Sequence, residues 1–403
     1  MDGNLTYLES LGLNGKQYVF VSANGTPEEN GLELQEAYIK AGTMSPANDN
    51  KITVIIAPGK YKMTETLVLD NDYIDLVSLT GEPGVELDLT ENNFYTGTVD
   101  LSALGGPTFN VTNDPFIIND IGTFDFNTNP ALSIEADCTI VGIKTATHES
   151  DTAQTLGLIQ YSSSSALPYI QNVGNTYILP INQITAVSPI VKNVIGGFYS
   201  FGFDVTMSLN TTINGQYENC YFYAGSFLGV NVNAIINNCQ GYLALSNSQY
   251  SGRFSNIVLD GIGFSGYDLT GQFVNCAITD SLATGEVSGF SPSGGDGDLY
   301  GYFENCKVQG EGFASYSNTV ISSTAYLKNC EVYSDVDSFG FDGIEDGAIL
   351  ENCVGGLNSF CENGAMEGKL IRCRKTSGTF AAPTGNGKQI LCIDGTDAVI
   401  TLP

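Results

Sequence analysis

The chain is 403 residues long and carries 44 acidic against 15 basic side chains, a formal net charge of −29. That balance excludes nucleic acid and an anionic membrane surface as partners, because their phosphates would be repelled. Charged residues make up only 15 %, so the surface is built largely from Asn, Ser, Thr, Gly and Tyr, which suits carbohydrate contact but is also what an unspecialised polar surface looks like.

The start, Met1-Asp2-Gly3-Asn4, lacks the positive charge and apolar core of an export signal. The longest apolar stretches, such as Ile52 to Pro58, are too short to span a bilayer, so no membrane insertion is expected. Residues 1–50 read as an N-terminal cap. Helical spacing runs from Gly31 to Ala41 through Leu32, Leu34, Ala37, Tyr38 and Ile39, with Gly42 as the stop. Ile52 to Ala57 then gives a strand, and Pro58-Gly59-Lys60-Tyr61 a turn. Leu67 to Leu69, Ile74 to Gly81 and Val85 to Leu89 follow as strands.

Residues 51–190 read as first coils with long excursions, least regular over 91–190. That stretch holds Cys138, in a strand-like run from Ile134 to Ile140, His148, which is the single histidine, and the run Ser162 to Ser165.

From residue 191 to 403 a short pattern returns: a hydrophobic residue, a variable one, Asn, then Cys. It gives Cys220, Cys239, Cys276, Cys306, Cys330 and Cys353, continues in degraded form at Cys373 and Cys392, and has Val194 and Ile257 in the Cys place. The steps between these anchors are 26, 19, 18, 19, 30, 24, 23, 20 and 19 residues. Phe follows seven residues after the anchor at Phe201, Phe227, Phe264, Phe313, Phe360 and Phe380, beside small residues. A short period with two positions held in phase means stacked repeats. Alternation over a few residues, with Gly, Ser, Asn and Thr instead of Ala and Leu, makes the repeats strands. The fold expected is all-β: a right-handed parallel β-helix (solenoid) with an N-terminal helical cap.

Stacking explains the residue types. Successive coils lie about 4.8 Å apart, so like sits on like. Asn tolerates a bent backbone and can hydrogen-bond the Asn of the next coil. Cys is small and buriable, and Phe stacks in offset register. Single Cys residues 18 to 30 positions apart do not have zinc spacing. Stacked β-carbons near 4.8 Å also exceed the roughly 3.8 Å of a disulfide. A ladder of reduced, buried thiols is therefore expected. Ala398 to Pro403 reads as a last apolar strand, closing the bottom of the helix or meeting the same segment of other subunits.

Two stretches carry a resemblance. The segment from Tyr18 to Glu82, with its short helix, strand, Pro58-Gly59-Lys60-Tyr61 turn and Gly-terminated strand, resembles the entry of right-handed β-helix proteins of the pectate-lyase-like superfamily. The Asn-Cys and Ser-Phe-Gly coils resemble β-helix repeats of bacteriophage virion proteins. Together the resemblance covers residues 18–90 and 190–395. It implies a fold, and a choice among polysaccharide lyases, hydrolases, tailspikes and non-catalytic adhesins.

No catalytic set stands out. A lyase wants an Arg or Lys base near carboxylate-held calcium. The three arginines are Arg253, Arg372 and Arg374, and the last two, flanking Cys373, are expected on one outward face, paired with acids. A hydrolase wants paired carboxylates. The superfamily's Asp-Asp and Gly-His-Gly patterns are missing, and Glu304, Glu331 and Glu351 are candidates that read as ordinary exposed strand positions. Two acidic loops offer oxygen ligands of the kind calcium takes, Asp296-Gly297-Asp298 and the loop holding Asp335, Asp337, Asp342, Glu345 and Asp346. The second matches an EF-hand only in part, with Phe339 where an oxygen ligand belongs, so no cofactor is expected.

The resulting expectation is a non-enzymatic virion structural or host-attachment protein of tail-fibre type. Its partners would be other virion proteins or itself, as a homotrimer, and a host surface glycan. A polysaccharide-depolymerising tailspike or lyase and a cell-surface adhesin are the alternatives.

Overall fold

The chain is an all-β parallel solenoid with one helix among the described residues. The computed structural model describes residues 17–62, 67–81, 85–88, 97–100, 108–111, 132–134, 136, 138–141, 143–145, 159–161, 169–171, 178–180 and 186–194, and residues 212–402 except 223–226, 228–229, 243–247, 262, 280–287, 293–297, 315–318, 334–338, 341 and 362–363. Phe201, His148, Ser162 to Ser165, Asp296, Asp335 and Asp337 lie outside the described residues. The described contacts divide the chain into two units, Met1–Gly197 and Phe198–Pro403.

In the first unit the stack already starts inside the segment read as a cap. Strand β1 (Gln17–Val21) pairs in parallel register with β2 (Ile52–Ile56). The helix α1 (Pro27–Gly42) lies between them in sequence and begins a turn earlier than its hydrophobic spacing indicates. The reason is a capping box: Glu29 donates its backbone N–H to Thr26 Oγ1, and Thr26 donates its own to Glu29 Oε2, with Pro27 opening the first turn. Strand β2 is followed by β3 (Gly59–Lys62), β4 (Leu67–Leu69) and β5 (Ile74–Ser78). The turn before β3 is tied by Tyr61, whose hydroxyl donates to Ala57 O at 2.6 Å.

Three parallel sheets stack from this start. One runs β1, β2, β5, Thr139–Val141, Tyr169–Gln171, Ile190–Lys192. A second runs β3, Val85–Asp88, Ile143–Thr145. The third runs β4, Leu132–Ile134, Ile159–Tyr161, Ile178–Pro180. Cys138, buried just before Thr139–Val141, belongs to such a coil. An antiparallel hairpin, Gly97–Asp100 with Thr108–Val111, departs from the coil pattern.

In the second unit each coil repeats a fixed sentence. A three-residue strand, the first run, precedes the Asn: Gln216–Glu218, Ile235–Asn237, Arg253–Ser255, Gln272–Val274, Tyr302–Glu304, Tyr326–Lys328, Ile349–Glu351, Lys369–Ile371, and then Lys388–Ile393. A second run follows the Cys, from Tyr221–Phe222 to Arg374–Lys375. A third run lies before the next first run, as in Asn231–Val232, Ser248–Tyr250 and Gly343–Ile344. Pairing is parallel throughout until the strand Val399–Leu402 turns back antiparallel on Lys388–Ile393.

Period-two alternation sets the core. In each first run the middle residue is buried and its neighbours face out, so Phe254, Phe273, Phe303, Leu327, Leu350 and Leu370 form one interior column. Phe254, Phe273 and Phe303 stack face to face at 4.8 and 4.7 Å. The second aromatic column is longer than the seven-residue spacing shows. It runs Phe264, Phe290, Phe313, Phe339, Phe360, Phe380, with centroids 4.8–5.3 Å apart. Phe290 and Phe339 are out of phase in sequence because their coils carry extra residues before the ring. Phe227 is buried too, edge-on to Tyr217 and Phe222. Phe380, the last of the column, is tilted by 39° and only half-buried.

Candidate functional site

The bend between first and second runs is made by Asn in the left-handed region, with φ of 54° at Asn219, Asn305, Asn329 and Asn352. Asn adopts this region at lower cost than other non-glycine residues. Its side chains then chain along the stack: Asn275 donates to Asn256, Asn305 to Asn275, Asn329 to Asn305 and Asn352 to Asn329, at 3.0–3.1 Å.

The next residue is the anchor. All ten cysteines are buried thiols. Each of the stacked ones from Cys239 onward donates its Sγ–H to a carbonyl of the preceding coil. Cys306 reaches Phe273 O at 3.4 Å, Cys330 reaches Phe303 O at 3.6 Å and Cys373 reaches Leu350 O at 3.3 Å. Burial pushes the thiols of Cys276, Cys330 and Cys353 well above the ordinary cysteine range. A buried thiol that resists ionisation is a poor nucleophile and a poor metal ligand.

Four residues before each bend residue, whether Asn or its replacements Arg372 and Leu391, lies a further column. It is Gly215, Ala234, Gly252, Gly271, Gly301, Ala325, Ala348, Gly368 and Gly387. A Cβ on Gly301 would stand 2.3 Å from Gly271 O, and one on Gly252 2.1 Å from Ala234 O. The corner is that close, and the signal was available as Gly/Ala-x-hydrophobic-x-Asn-Cys.

The three carboxylates singled out from sequence sit on the outward face of the first and second runs, and each is engaged. Glu304 accepts from Tyr302 Oη at 2.7 Å and from Lys328 Nζ at 3.1 Å. Glu351 accepts from Tyr326 Oη at 2.6 Å and lies 3.8 Å from Arg372. Glu331 pairs with Lys307 at 3.1 Å and accepts from Tyr333 Oη. The Tyr302 and Lys328 hydrogen bonds hold Glu304 below the usual carboxylate range, and the same bond pushes the Tyr302 phenol up to about 12. Arg374 pairs with Asp397 at 3.5 Å, and Arg253 lies several coils earlier, on the first run Arg253–Ser255.

A further set of acids comes together that spacing did not reveal. Asp298 N–H donates to Asp268 Oδ1 at 2.9 Å, while Asp298 accepts from Val320 N–H at 3.0 Å and from Tyr300 Oη at 3.2 Å. Burial, together with the negative charge of Asp268 and Glu345, raises Asp298 above the usual range. Glu345 is fixed by Ser322 Oγ and Ser323 N–H. Asp346 accepts from Asn386 at 2.7 Å, away from the EF-hand-like role considered for it. Among the described residues no group of His, Cys, Asp and Glu is arranged to hold a metal ion. No helix among them is long and apolar enough to cross a membrane.

Fold and columns together define a parallel β-solenoid protein whose outward faces are Tyr, Lys, Glu and amide side chains. No family model and no curated protein matches the chain. Among solved structures it is similar to the product of ORF18 of Geobacillus virus E2, at 11% identity and a TM-score of 0.23, over 96% of this chain and 61% of that one. It is also similar to PfbA, a surface adhesin of Streptococcus pneumoniae, at 10% identity and a TM-score of 0.31, over 89% of this chain and 91% of that one. The chain thus spans about 61% of the length of the phage protein.

Proposed function

We propose that this chain is a non-enzymatic virion structural or host-attachment protein, a stiff β-solenoid spacer that presents a polar side-chain lattice to a host surface glycan or to other virion proteins. The observation that carries this reading is the state of Glu304, Glu331 and Glu351. All three are bound to a cation and a phenol on the surface, and none is left to act as base or nucleophile. A row of Asn repeated at about 4.8 Å, with Tyr and Lys side chains on the strands beside it, suits many weak contacts summed over a surface. A parallel homotrimer would multiply them.

The test combines location and chemistry. Peptides of this chain are expected in purified particles, and the protein is expected to retain host capsular or lipopolysaccharide glycan on a column without generating reducing ends or unsaturated uronate. Absence from particles together with no glycan retention would remove the reading. One observation favours a second reading, a glycan-cleaving spike: the raised Asp298 carboxyl beside Asp268 is a general-acid type of arrangement. Turnover in the same glycan screen, lost in Asp298→Asn, would establish it instead.

A further inference from the structure

The outward column that opens each first run changes character along the stack. In register it reads Tyr302, Tyr326, Ile349, Lys369, Lys388. Two half-buried aromatic rings are thus followed, past Ile349, by lysines on two successive coils. Tyr302 and Tyr326 meet edge to face at 5.6 Å, and their phenols donate to Glu304 and Glu351. Those bonds fix the rings on the surface before any ligand arrives, which lowers the cost of binding one.

The two lysines are left over from the charge pairing of this face. Lys307 has Glu331, Lys328 has Glu304, Arg372 has Glu351 and Arg374 has Asp397. Among the described residues Lys369 and Lys388 have no such partner. Glu367 precedes Lys369 by two positions, but its carboxylate lies against Gly385, where an added Cβ would stand 3.1 Å from Oε1. Both lysines are exposed and in register, on strands about 4.8 Å apart. Like charges opposed across paired strands repel. A chain of net charge −29 therefore holds a local excess of positive charge beside two fixed aromatic rings. Screening limits the reach of the net charge to about 8 Å at physiological salt, so the local excess governs a ligand lying in the column.

We infer that the column from Tyr302 to Lys388 is a binding strip for a linear acidic polysaccharide. Its sugar rings lie against Tyr302 and Tyr326, and its carboxylates on Lys369 and Lys388. The strip is one strand position wide and crosses five coils, about 19 Å from end to end. That shape admits one extended polymer and not a flat charged surface. An acidic peptide would satisfy the lysines alone; the rings fixed beside them match the C–H faces of a pyranose. The inference rests on the glycan contact of the proposed function, and adds the charge of the glycan and the place where it lies.

The test is retention of the full chain on immobilised hyaluronate and alginate, with dextran as the neutral control and poly-glutamate as the acidic peptide. The native chain is expected to be held by an acidic glycan at physiological salt, to be released as salt rises, and to pass through dextran and poly-glutamate. Lys369→Gln plus Lys388→Gln removes two exposed charges that repel each other, so this variant is expected to melt no lower than the native chain. It is expected to bind about tenfold more weakly. Lys369→Arg plus Lys388→Arg is expected to keep the binding. No retention on either acidic glycan, equal retention on dextran or poly-glutamate, or a Gln variant that binds like the native chain overturns the inference. A chain that holds host glycan with the Gln variant unaffected loses this strip and keeps the attachment reading. A chain that holds an acidic glycan through the lysines but is absent from particles keeps the strip and loses the virion reading.

Discussion

Asn305 donates its side-chain amide to the side-chain oxygen of Asn275 at 3.1 Å, although 30 positions separate them in the chain. The two belong to successive coils, and the bond exists only when the long coil between them closes in register. Asn305→Ala is expected to cost about 1–2 kcal/mol, combining a lost hydrogen bond with a backbone region that Ala disfavours. Asn305→Gly keeps the backbone and should cost less than Ala. Urea unfolding of both variants checks the order, and Ala equal to Gly would mean that the bend conformation contributes nothing.

The aromatic columns predict a graded response. Phe290→Ala removes a fully buried ring stacked on Phe264 and Phe313, and Phe303→Ala one stacked on Phe273 with Leu327 on its other side. Each is expected to cost about 3–5 kcal/mol. Phe380→Ala, at the half-buried end, is expected to cost clearly less. Denaturant midpoints across the three variants give the comparison.

Native thiol labelling is expected to be slow at every stacked cysteine, because burial disfavours the thiolate at Cys276, Cys330 and Cys353. Labelling should become complete on unfolding, and intact mass should not change on reduction. Rapid reaction of several thiols in the folded protein would contradict the buried column.

Acid titration separates two sets of carboxylates. The folded-state pKa of Asp298 is raised, so its contribution is fully present below the unfolded pKa and is lost as pH rises through the folded value. Those of Glu304 and Glu331 are depressed, so their contribution is present above the unfolded pKa and is lost as pH falls. Asp298→Asn is therefore expected to be relatively more stable at neutral pH than at pH near 3 when set against the native chain, and Glu304→Gln the reverse. Melting temperatures at the two pH values decide it.

Much of this architecture was legible because stacking repeats a residue wherever a backbone position is demanding. The bend demands a left-handed residue, hence Asn; the narrow interior beside it demands a small apolar one, hence Cys. The Gly/Ala corner was equally legible, and was missed because alternating Gly and Ala hide a column that an invariant residue would display. Phe290 and Phe339 were missed for a different reason: a fixed offset fails when insertion falls between anchor and ring. The capping box at Thr26 and Glu29 is a local signal that hydrophobic spacing overlooks. The Asp268, Asp298 and Glu345 group could not be read at all, since its members are 30 and 47 positions apart in a chain rich in acids. Only the register of the third run brings them together.

The small-residue corner, the centre of the first run, the bend residue and the anchor keep their spacing from coil to coil, while anchor steps range from 18 to 30 residues. All variation in length is thereby confined to one arc of each coil. A graft or deletion that spares the second run, the ring and the third run of that arc keeps the pairing with the neighbouring coils, and copying a whole coil adds one rise of about 4.8 Å. Such a chain works as a ruler with interchangeable marks, whose reach and whose exposed loops can evolve separately.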